Sequence, residues 1–390
     1  MPLFNFFRKH ETKASLIFST EPVNISRTEA LKLALNNPYV VSAIKMIANS
    51  VSRLDYMILN AEGEIVPNHE LNWLLRYPAP TTTFWNFLNK IVWQLYLYGN
   101  AYIQKVYVNN QLKLLNLIPS QLVTPTYDNN GQLVYNVLVN TKLQRLQPSE
   151  IIHVKFFNFD DTALVSSSPL DVIIESVYLN NSARRWNRSL LENGARPSGA
   201  LVTERMLTHE EYLRLKEEIQ TKFSGYRNAG RPLLLEGGVK WEPMSLSPTE
   251  MDFYNVMKLS AREIALGLGV PSELLGDNEN KTYSNYQEAQ KQFYLQTVLP
   301  IAEMIVEQIS AGIFKKGEVI AIDYRTVDAI NEAEDAVMGR LLNAFNAGVM
   351  SVNEVRQALN LPAVLGGDDL YIPVNKVPIG SVNLSDGTEE

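Results

Sequence analysis

The sequence predicts an α+β fold, because helical and strand patterns occupy separate blocks of the chain. Between residues 101 and 157, short β-rich runs alternate with Asn-Asn and Asn-Asn-Gly turns, which predicts an antiparallel sheet. On both sides of this block, apolar residues recur at helical spacing. One such stretch, opened by Ser168 and Pro169 and closed by Gly194, predicts a helix of about 25 residues, roughly 37 Å long.

The composition is that of an ordinary folded chain large enough for more than one lobe. Of its 390 residues, 46% are hydrophobic and 20% are charged. Cysteine is absent, which excludes disulfides and thiolate metal sites, and the four histidines do not have ligand spacing. We therefore expect no metal and no cofactor. The N-terminal segment does not have the pattern of a secretory signal, and apolar runs stay short of a membrane span, so we expect no membrane association.

Local signals place the N-terminal elements. Asn37 followed by Pro38 predicts the start of a helix that ends near Asp55, and Gly99 predicts the end of another. The runs YMILN and EIVPN, on either side of Ala61-Glu62-Gly63, predict a β-hairpin.

The long helix after Ser168 carries apolar residues that we expect to share one packed face, with an arginine cluster off that face. The apolar residues are Ile173, Leu179, Ala183, Trp186 and Leu190, and the arginines are Arg184, Arg185 and Arg188.

Between residues 200 and 246, Thr208 and Glu211 form a predicted capping box within a small α/β insertion. Ser247 and Glu250 predict the start of a second long helix. The two long predicted helices therefore flank this insertion, one before it and one after it.

The C-terminal part begins with a polar loop between Gly267 and Asn285. Ser284 and Gln287 predict the next helix start, and Pro300 predicts a kink inside that helix, because proline lacks the amide donor and clashes with the preceding turn. Two further helices are separated near Gly348, and Ser351 with Glu354 forms a predicted capping box at the start of the second.

Five phrases in a fixed order resemble the portal proteins of tailed bacteriophages, from Asn37 to Leu361. They are NPYVVSAIKMIANSVS, YGNAYIQK, SPLDV, NGARPSG and GVPSELLGD. The resemblance implies a mixed wing lobe with an antiparallel sheet, two long stem helices around a small α/β clip, a Pro-kinked helix and a C-terminal helical crown. The implied boundaries are a flexible start (1–36), wing (37–166 and 286–330, the latter with the kinked helix), first stem helix (167–199), clip (200–246), second stem helix (247–270), tunnel loop (271–285), crown (331–364) and flexible tail (365–390).

The resemblance also implies a function without catalysis. Such a chain forms a ring, usually a dodecamer, at one capsid vertex, and double-stranded DNA passes through it transiently and without sequence specificity during packaging and ejection. The implied partners are the terminase large subunit, a head-tail connector or adaptor, and the major capsid and scaffold proteins. The implied locations are the virion and, during assembly, the host cytoplasm. A net charge of −7 fits this role, since acidic walls repel phosphate.

Two groups of site residues follow. The first is a DNA-facing tunnel loop, in which Lys281 either contacts phosphate or is simply a solvated lysine; its members are Asp277, Asn278, Asn280, Lys281 and Thr282. The second is a stem surface that forms an oligomer contact or channel wall, with Arg184, Arg185, Arg188 and Trp186. Pairing of these arginines with acidic residues of a neighbouring copy is favoured over DNA contact.

Two segments of the sequence also suggest other functions. The segment Gly276–Thr282 superficially resembles a phosphate-binding loop of an NTPase, but it lacks the glycine before the lysine and does not follow a strand. The C-terminal helices could instead form a helix-turn-helix DNA reader with Asn353, Arg356 and Gln357 on its second helix, although Glu354 opposes phosphate contact.

Overall fold

The computed structural model describes residues 26–158, 160, 162–192, 199–203, 206–222, 240–243, 253–277, 279, 282–314, 317–327, 329–331, 334–359 and 361–371. Within these ranges the chain forms both helices and strands, and the described strand pairings are antiparallel, which confirms the predicted α+β class. Among the helices described, none combines the length and apolar character that a membrane crossing needs.

The described helices are α1 (Arg27–Leu35), α2 (Pro38–Ser52), α3 (Phe84–Tyr98), α4 (Pro169–Glu192), α5 (His209–Lys222), α6 (Phe253–Gly267), α7 (Tyr283–Phe293), α8 (Leu299–Ile313), α9 (Glu334–Asn346) and α10 (Val352–Ala358). The described strands are β1 (Tyr56–Leu59), β2 (Asn100–Val108), β3 (Gln111–Ile118), β4 (Val123–Tyr127), β5 (Leu133–Val139), β6 (Lys142–Leu146), β7 (Ile151–Lys155), β8 (Gly199–Val202), β9 (Lys240–Pro243) and β10 (Val319–Ile322).

The chain divides into two compact units, each built from two stretches of sequence. The first unit comprises Met1–Ser52 and Arg76–Lys281, and the second comprises Arg53–Leu75 and Thr282–Glu390.

The β-rich block of the first unit forms two sheets, whereas the sequence predicted one. One sheet has the order β3-β2-β7 and the other β4-β5-β6. The break falls at Pro119, where a short 3₁₀ turn ends β3 before β4 begins. Both sheets contribute to one hydrophobic cluster that includes Tyr102, Val123, Tyr135 and Leu146.

Helix ends at Asn37 and Gly99 of the first unit follow the predicted signals, while the predicted stop at Gly194 and the predicted capping box of Ser247 and Glu250 lie outside the described residues. The Oδ1 atom of Asn37 accepts from the backbone N–H of Tyr39 at 3.0 Å and of Val40 at 3.3 Å, so Asn37 is the N-cap of α2. Gly99 ends α3 with a φ of 76°, in the left-handed region. A side chain there would also collide with the backbone, because its Cβ would lie 2.3 Å from the Ser166 carbonyl oxygen.

In the second unit, the hairpin prediction for residues 56–66 is confirmed only in part, because the chain reverses at Asn60–Gly63 but the two arms make little pairing. Strand β1 pairs along its length with β10, and only a single bridge joins Leu59 to Ile65. Pairing with β10 buries Ile58, Ile320 and Ile322, whereas Ile65 is half exposed. Burial of apolar surface therefore favours the distant partner.

Pro300, in the second unit, lies in the first turn of α8. Residues Tyr294–Val298 form a π-helix between α7 and α8, in which the Leu299 amide donates to the Tyr294 carbonyl. Such a bulge is one way in which a helix adjusts its hydrogen bonding around a residue without an amide donor, here Pro300. The kink itself stays a prediction.

The start of α7 differs from the prediction. Its N-cap is Thr282, whose Oγ1 accepts from the Asn285 amide at 3.1 Å, and not Ser284. The cap therefore lies two residues earlier, and the last residues of the predicted loop, from Tyr283, are helical.

Candidate functional site

Helices α4 and α6 pack against each other in antiparallel orientation. Ser176 Oγ donates to Glu263 Oε2 at 2.7 Å. Four residues later on α6 and three residues earlier on α4, Gly267 lies directly against Ile173. A Cβ atom on Gly267 would lie 2.1 Å from Ile173 Cγ2. Glycine at this position therefore lets the two helices approach closely.

A buried network of amide side chains fixes the register of this pair. Asn37 Nδ2 donates to Oδ1 of both Asn180 and Asn181 at 3.0 Å. In turn, Asn180 Nδ2 donates to the Met257 carbonyl at 3.0 Å and to Ser260 Oγ at 2.9 Å. Asn37 and Asn180 are fully buried, so each bond replaces one to water and specifies a single alignment of α2, α4 and α6.

The loop after α6 is tied to that helix by a cluster of four charged side chains. Arg262 donates from Nε to Asp277 at 2.5 Å and from an Nη atom to Glu279 at 2.8 Å. Lys258 lies one turn earlier on α6 and also contacts Glu279. The hydrogen bond from Arg262 is the main reason that the pKa of Asp277 is lowered from its ordinary value, so the carboxylate is ionised at neutral pH.

A cavity of about 460 Å³ lies beside this cluster. Its walls come from Tyr39 of α2, one side of α6 and the following loop. The lining from α6 comprises Tyr254, Met257, Lys258, Ala261, Arg262 and Ala265. Small and apolar side chains thus line much of the cavity, and the ion pairs of Arg262 and Lys258 form the rest of this wall.

The predicted loop residues are only partly described. Asp277 takes part in the charged cluster, and Thr282 caps α7. Asn278, Asn280 and Lys281 lie outside the described residues. A role of these five residues toward DNA stays a prediction. Sequence reasoning missed Lys258 and Arg262, although two cations four residues apart before an acidic loop are a signal for such pairing.

The predicted packing face of α4 is partly wrong. Ile173 and Ala183 are buried as predicted, but Leu179 is 47% exposed and Trp186 41% exposed. The buried face instead includes Val177 and Asn180, which follow the helical period more closely. The side chain of Leu190 lies outside the described part of the chain.

The arginine cluster lies near the C-terminal end of α4. Arg188 pairs with Glu192 at 2.8 Å, one turn away on the same helix, and Arg185 is 3.5 Å from Ser182 Oγ. Arg184, Arg185 and Arg188 are exposed. Their contacts with another copy stay a prediction.

The C-terminal helices have the capping box predicted for Ser351 and Glu354. Two side chains that a helix-turn-helix would use to contact DNA bond instead to nearby backbone. Asn353 donates to the Val364 carbonyl at 3.0 Å, and Arg356 donates to the Pro362 carbonyl at 2.8 Å. These contacts favour a structural helical hairpin over a DNA reader.

Comparison with known proteins identifies the family. The family model for phage portal proteins matches residues 38–360. The chain belongs to the phage portal protein family. This confirms the resemblance drawn from the five sequence phrases, and with it a structural role as a portal protein.

Similar proteins cover most of this portal chain. An uncharacterized protein of Rickettsia bellii is 32% identical over 94% of this chain and 98% of its own length. The portal protein of Enterobacteria phage HK97 is 27% identical over 78% of this chain and 73% of its own. A chain from the neck of a native gene transfer agent particle, computed with C12 symmetry, is 29% identical, covers 87% of this chain and 94% of its own, and superposes with a TM-score of 0.64.

Proposed function

We propose that the chain assembles into a twelve-membered ring at one vertex of a phage-type capsid and serves as a passive conduit for double-stranded DNA during packaging and ejection. The observation that carries this proposal is the similarity, over 87% of the chain, to a neck protein arranged with C12 symmetry. The ring belongs to the virion and is assembled in the host cytoplasm. It catalyses no reaction itself, since a terminase motor supplies the work of packaging.

The packing of α4 and α6 supports the proposed stem and clip. Because these helices are antiparallel, the segment between Glu192 and Phe253 leaves and re-enters at the same end of the pair. The described elements of this segment are α5 and the paired strands β8 and β9, and we propose that they form a clip beyond that end of the stem. We assign this clip to docking of the terminase large subunit and later of the head-tail connector. The other predicted lobes, the wing (37–166 and 286–330) and the crown (331–364), are assigned to the capsid and scaffold proteins and to the far end of the channel.

Charge supports weak contact with DNA. Twelve copies at −7 carry on the order of eighty excess negative charges, which repel phosphate along the channel. In the tunnel loop, the carboxylates of Asp277 and Glu279 are held by Arg262 and Lys258 of α6. We assign Lys281, the last residue of this loop before the N-cap of α7, to brief contacts with passing phosphates.

Electron microscopy of the purified full-length chain tests the ring. A ring of twelve copies with a central hole is the expected result, and a chain that stays monomeric under every assembly condition, scaffold included, contradicts the proposal. ATP hydrolysis by the purified chain would contradict the passive role.

DNA packaging by particles that carry Lys281→Glu tests the loop contact. Slower or incomplete packaging is expected, while Lys142→Glu, an exposed lysine of β6, should package normally. Normal packaging by Lys281→Glu would show that this lysine is only solvated.

A further inference from the structure

One flank of the α4–α6 pair exposes a set of large apolar side chains. On α4, Val172, Leu179 and Trp186 follow each other at intervals of seven residues, and on α6, Leu259 and Leu266 do the same. Val172 is 82% exposed, Leu259 56% and Leu266 81%. A spacing of seven residues keeps side chains on one side of a helix, so each helix carries an apolar stripe.

The two stripes lie at equal heights along the pair. The contacts of Ile173 with Gly267 and of Asn180 with Ser260 set which residues are level. By this register, Val172 is level with Leu266 and Leu179 with Leu259, to within about 3 Å at 1.5 Å per residue.

The stripes also lie on the same flank. Viewed along its own helix from the N-terminus, each stripe lies about a quarter to a third of a turn away from the face that contacts the other helix. The direction of this rotation is the same for both helices. For antiparallel helices, equal displacements of this kind point to the same side of the pair. Together the stripes form one surface, here named the stripe flank and defined by Val172, Leu179, Trp186, Leu259 and Leu266. The exposed hydrogen bond between Ser176 and Glu263 lies between the two stripes.

The opposite flank is where α1 and α2 pack and where the cavity opens. Asn181 of α4 donates to the Leu33 carbonyl of α1 on that flank, and Tyr39 of α2 forms part of the cavity wall. On α6, the cavity-lining residues are centred about 120° from Leu259 around the helix axis. They extend from Tyr254 to Ala265, which spans the height of Leu259.

In a ring, each copy contacts its two neighbours through two different surfaces. In cyclic symmetry, neighbours are related by a pure rotation without a shift along the axis, and their contact is heterologous. Where stem helices run broadly along that axis, a residue on one flank meets the opposite flank of the next copy at its own height. The stripe flank and the cavity lie on opposite flanks of the helix pair and at the same height, so they satisfy both requirements.

We propose that Leu259 of one copy packs into the cavity beside α6 of the next copy, with Leu266 and Leu179 packing around its rim. The occupant of the cavity is thus a second copy of this chain, and the inference rests on the proposed ring. The paired charges of the cavity fit this occupant, since Arg262 and Lys258 already have carboxylate partners from their own loop and need none from the neighbour.

Engineered disulfides test the pairing directly, because the chain contains no cysteine. Leu259→Cys and Ala261→Cys are combined in one full-length chain, where the two positions face different sides of α6 and cannot bond within it. Oxidation of assembled protein is expected to give a ladder of covalent oligomers up to the ring. Each single variant, and the pair Leu143→Cys with Ala261→Cys, should give none.

The outcomes separate this inference from the proposed function. Rings in micrographs without a ladder would overturn the pairing and leave the portal ring intact. Dimers from Leu259→Cys alone would show that the stripe flanks face each other, which also overturns it. Failure to form rings under any condition, with no ladder, would reject both.

A charge on the stripe flank gives an independent test. Leu259→Glu is expected to raise the protein concentration needed for half-assembly by at least about tenfold, with the circular dichroism of the monomer unchanged. Leu143→Glu is the matched control, since Leu143 is also exposed but lies on β6. Normal assembly of Leu259→Glu would contradict the proposal.

Discussion

Asn37 and Asn180 lie 143 positions apart in the chain and share a buried 3.0 Å hydrogen bond. The bond joins the N-cap of α2 to the middle of α4, and Asn180 extends it to α6 through Ser260. An amide in this position accepts on one side and donates on the other, so no apolar side chain can replace it. The helices of the proposed stem thereby have one preferred register. A ring requires this, because contacting residues of neighbouring copies must lie at the same height along the axis.

Replacing Asn180 with leucine should destabilise the first unit by about 2 to 4 kcal/mol, because the Asn37 amide and the Met257 carbonyl each lose a buried partner. Urea unfolding of the purified chain measures the change. Glu175→Leu puts the same residue at an exposed position of α4 and should cost little. Equal effects of the two substitutions would mean that the network contributes no specific stability.

Gly267→Ala should force α4 and α6 apart and cost about 1 to 3 kcal/mol, since the new Cβ would lie 2.1 Å from Ile173 Cγ2. Gly339→Ala is the matched control in α9, where a Cβ meets nothing within 4 Å. Alanine there should be neutral or stabilising by up to about 1 kcal/mol, as expected for glycine within a helix. Thermal unfolding of both variants checks the contrast, and a harmless Gly267→Ala would show that the helices have room to adjust.

Asp277→Ala should loosen the attachment of the loop to α6, because Arg262 loses one of its two carboxylate partners and keeps only Glu279. Hydrogen exchange of the amides between Ser272 and Asp277 is expected to become several-fold faster at pH 7, while Asp369→Ala, at an exposed position, should leave it unchanged. The pKa of Asp277 is lowered in the folded chain, so its stabilisation is present above the ordinary value of 3.8 and is lost only as pH falls below it. Loop protection that falls between pH 7 and pH 5, after correction for the intrinsic pH dependence of amide exchange, would contradict this assignment.

His153 should make the first unit sensitive to mild acid. Burial, assisted by Lys155, lowers the pKa of His153 from 6.5 to about 4. A neutral ring fits the site, where Nε2–H can donate to Asn100 Oδ1 at 2.9 Å. Because the folded-state pKa lies below the unfolded value, this stabilisation is present above pH 6.5 and is lost as pH falls toward 4, by about 2 kcal/mol at pH 5.

Unfolding free energies at pH 7.5 and pH 5 check the effect of His153. The difference in unfolding free energy between pH 7.5 and pH 5 should be about 2 kcal/mol smaller in His153→Gln than in the wild type. His209→Gln, at an exposed position on α5, should retain the wild-type difference. A wild-type difference that survives in His153→Gln would assign the acid sensitivity to other groups.

Sequence alone predicted those features whose determinants lie within a few residues of each other. The caps at Asn37, Thr208 and Ser351, and the left-handed stop at Gly99, each depend on one side chain and the next turn, so all four were found. The α+β class followed in the same way from local periodicity.

Features set by distant contacts were missed. Strand β1 was assigned to its sequence neighbour, because nothing near residue 56 reveals β10. On α4, Leu179 and Trp186 were placed on the buried face, because the helix is apolar on more than one side and α6 decides which side is covered. The salt bridges of Arg262 depend on how the loop folds back, which spacing does not specify.

The pairing of β1 with β10 affects how the protein can be made. Val319 follows Leu59 by about 260 residues, so a ribosome working at about 5 to 20 residues per second needs roughly 13 to 50 s between the two strands. During that interval the nascent β1 has an open edge that other chains can join. Prematurely terminated products that stop before residue 319 should therefore be the species that precipitate, and slow expression at low temperature with chaperones present should improve the yield of intact protein.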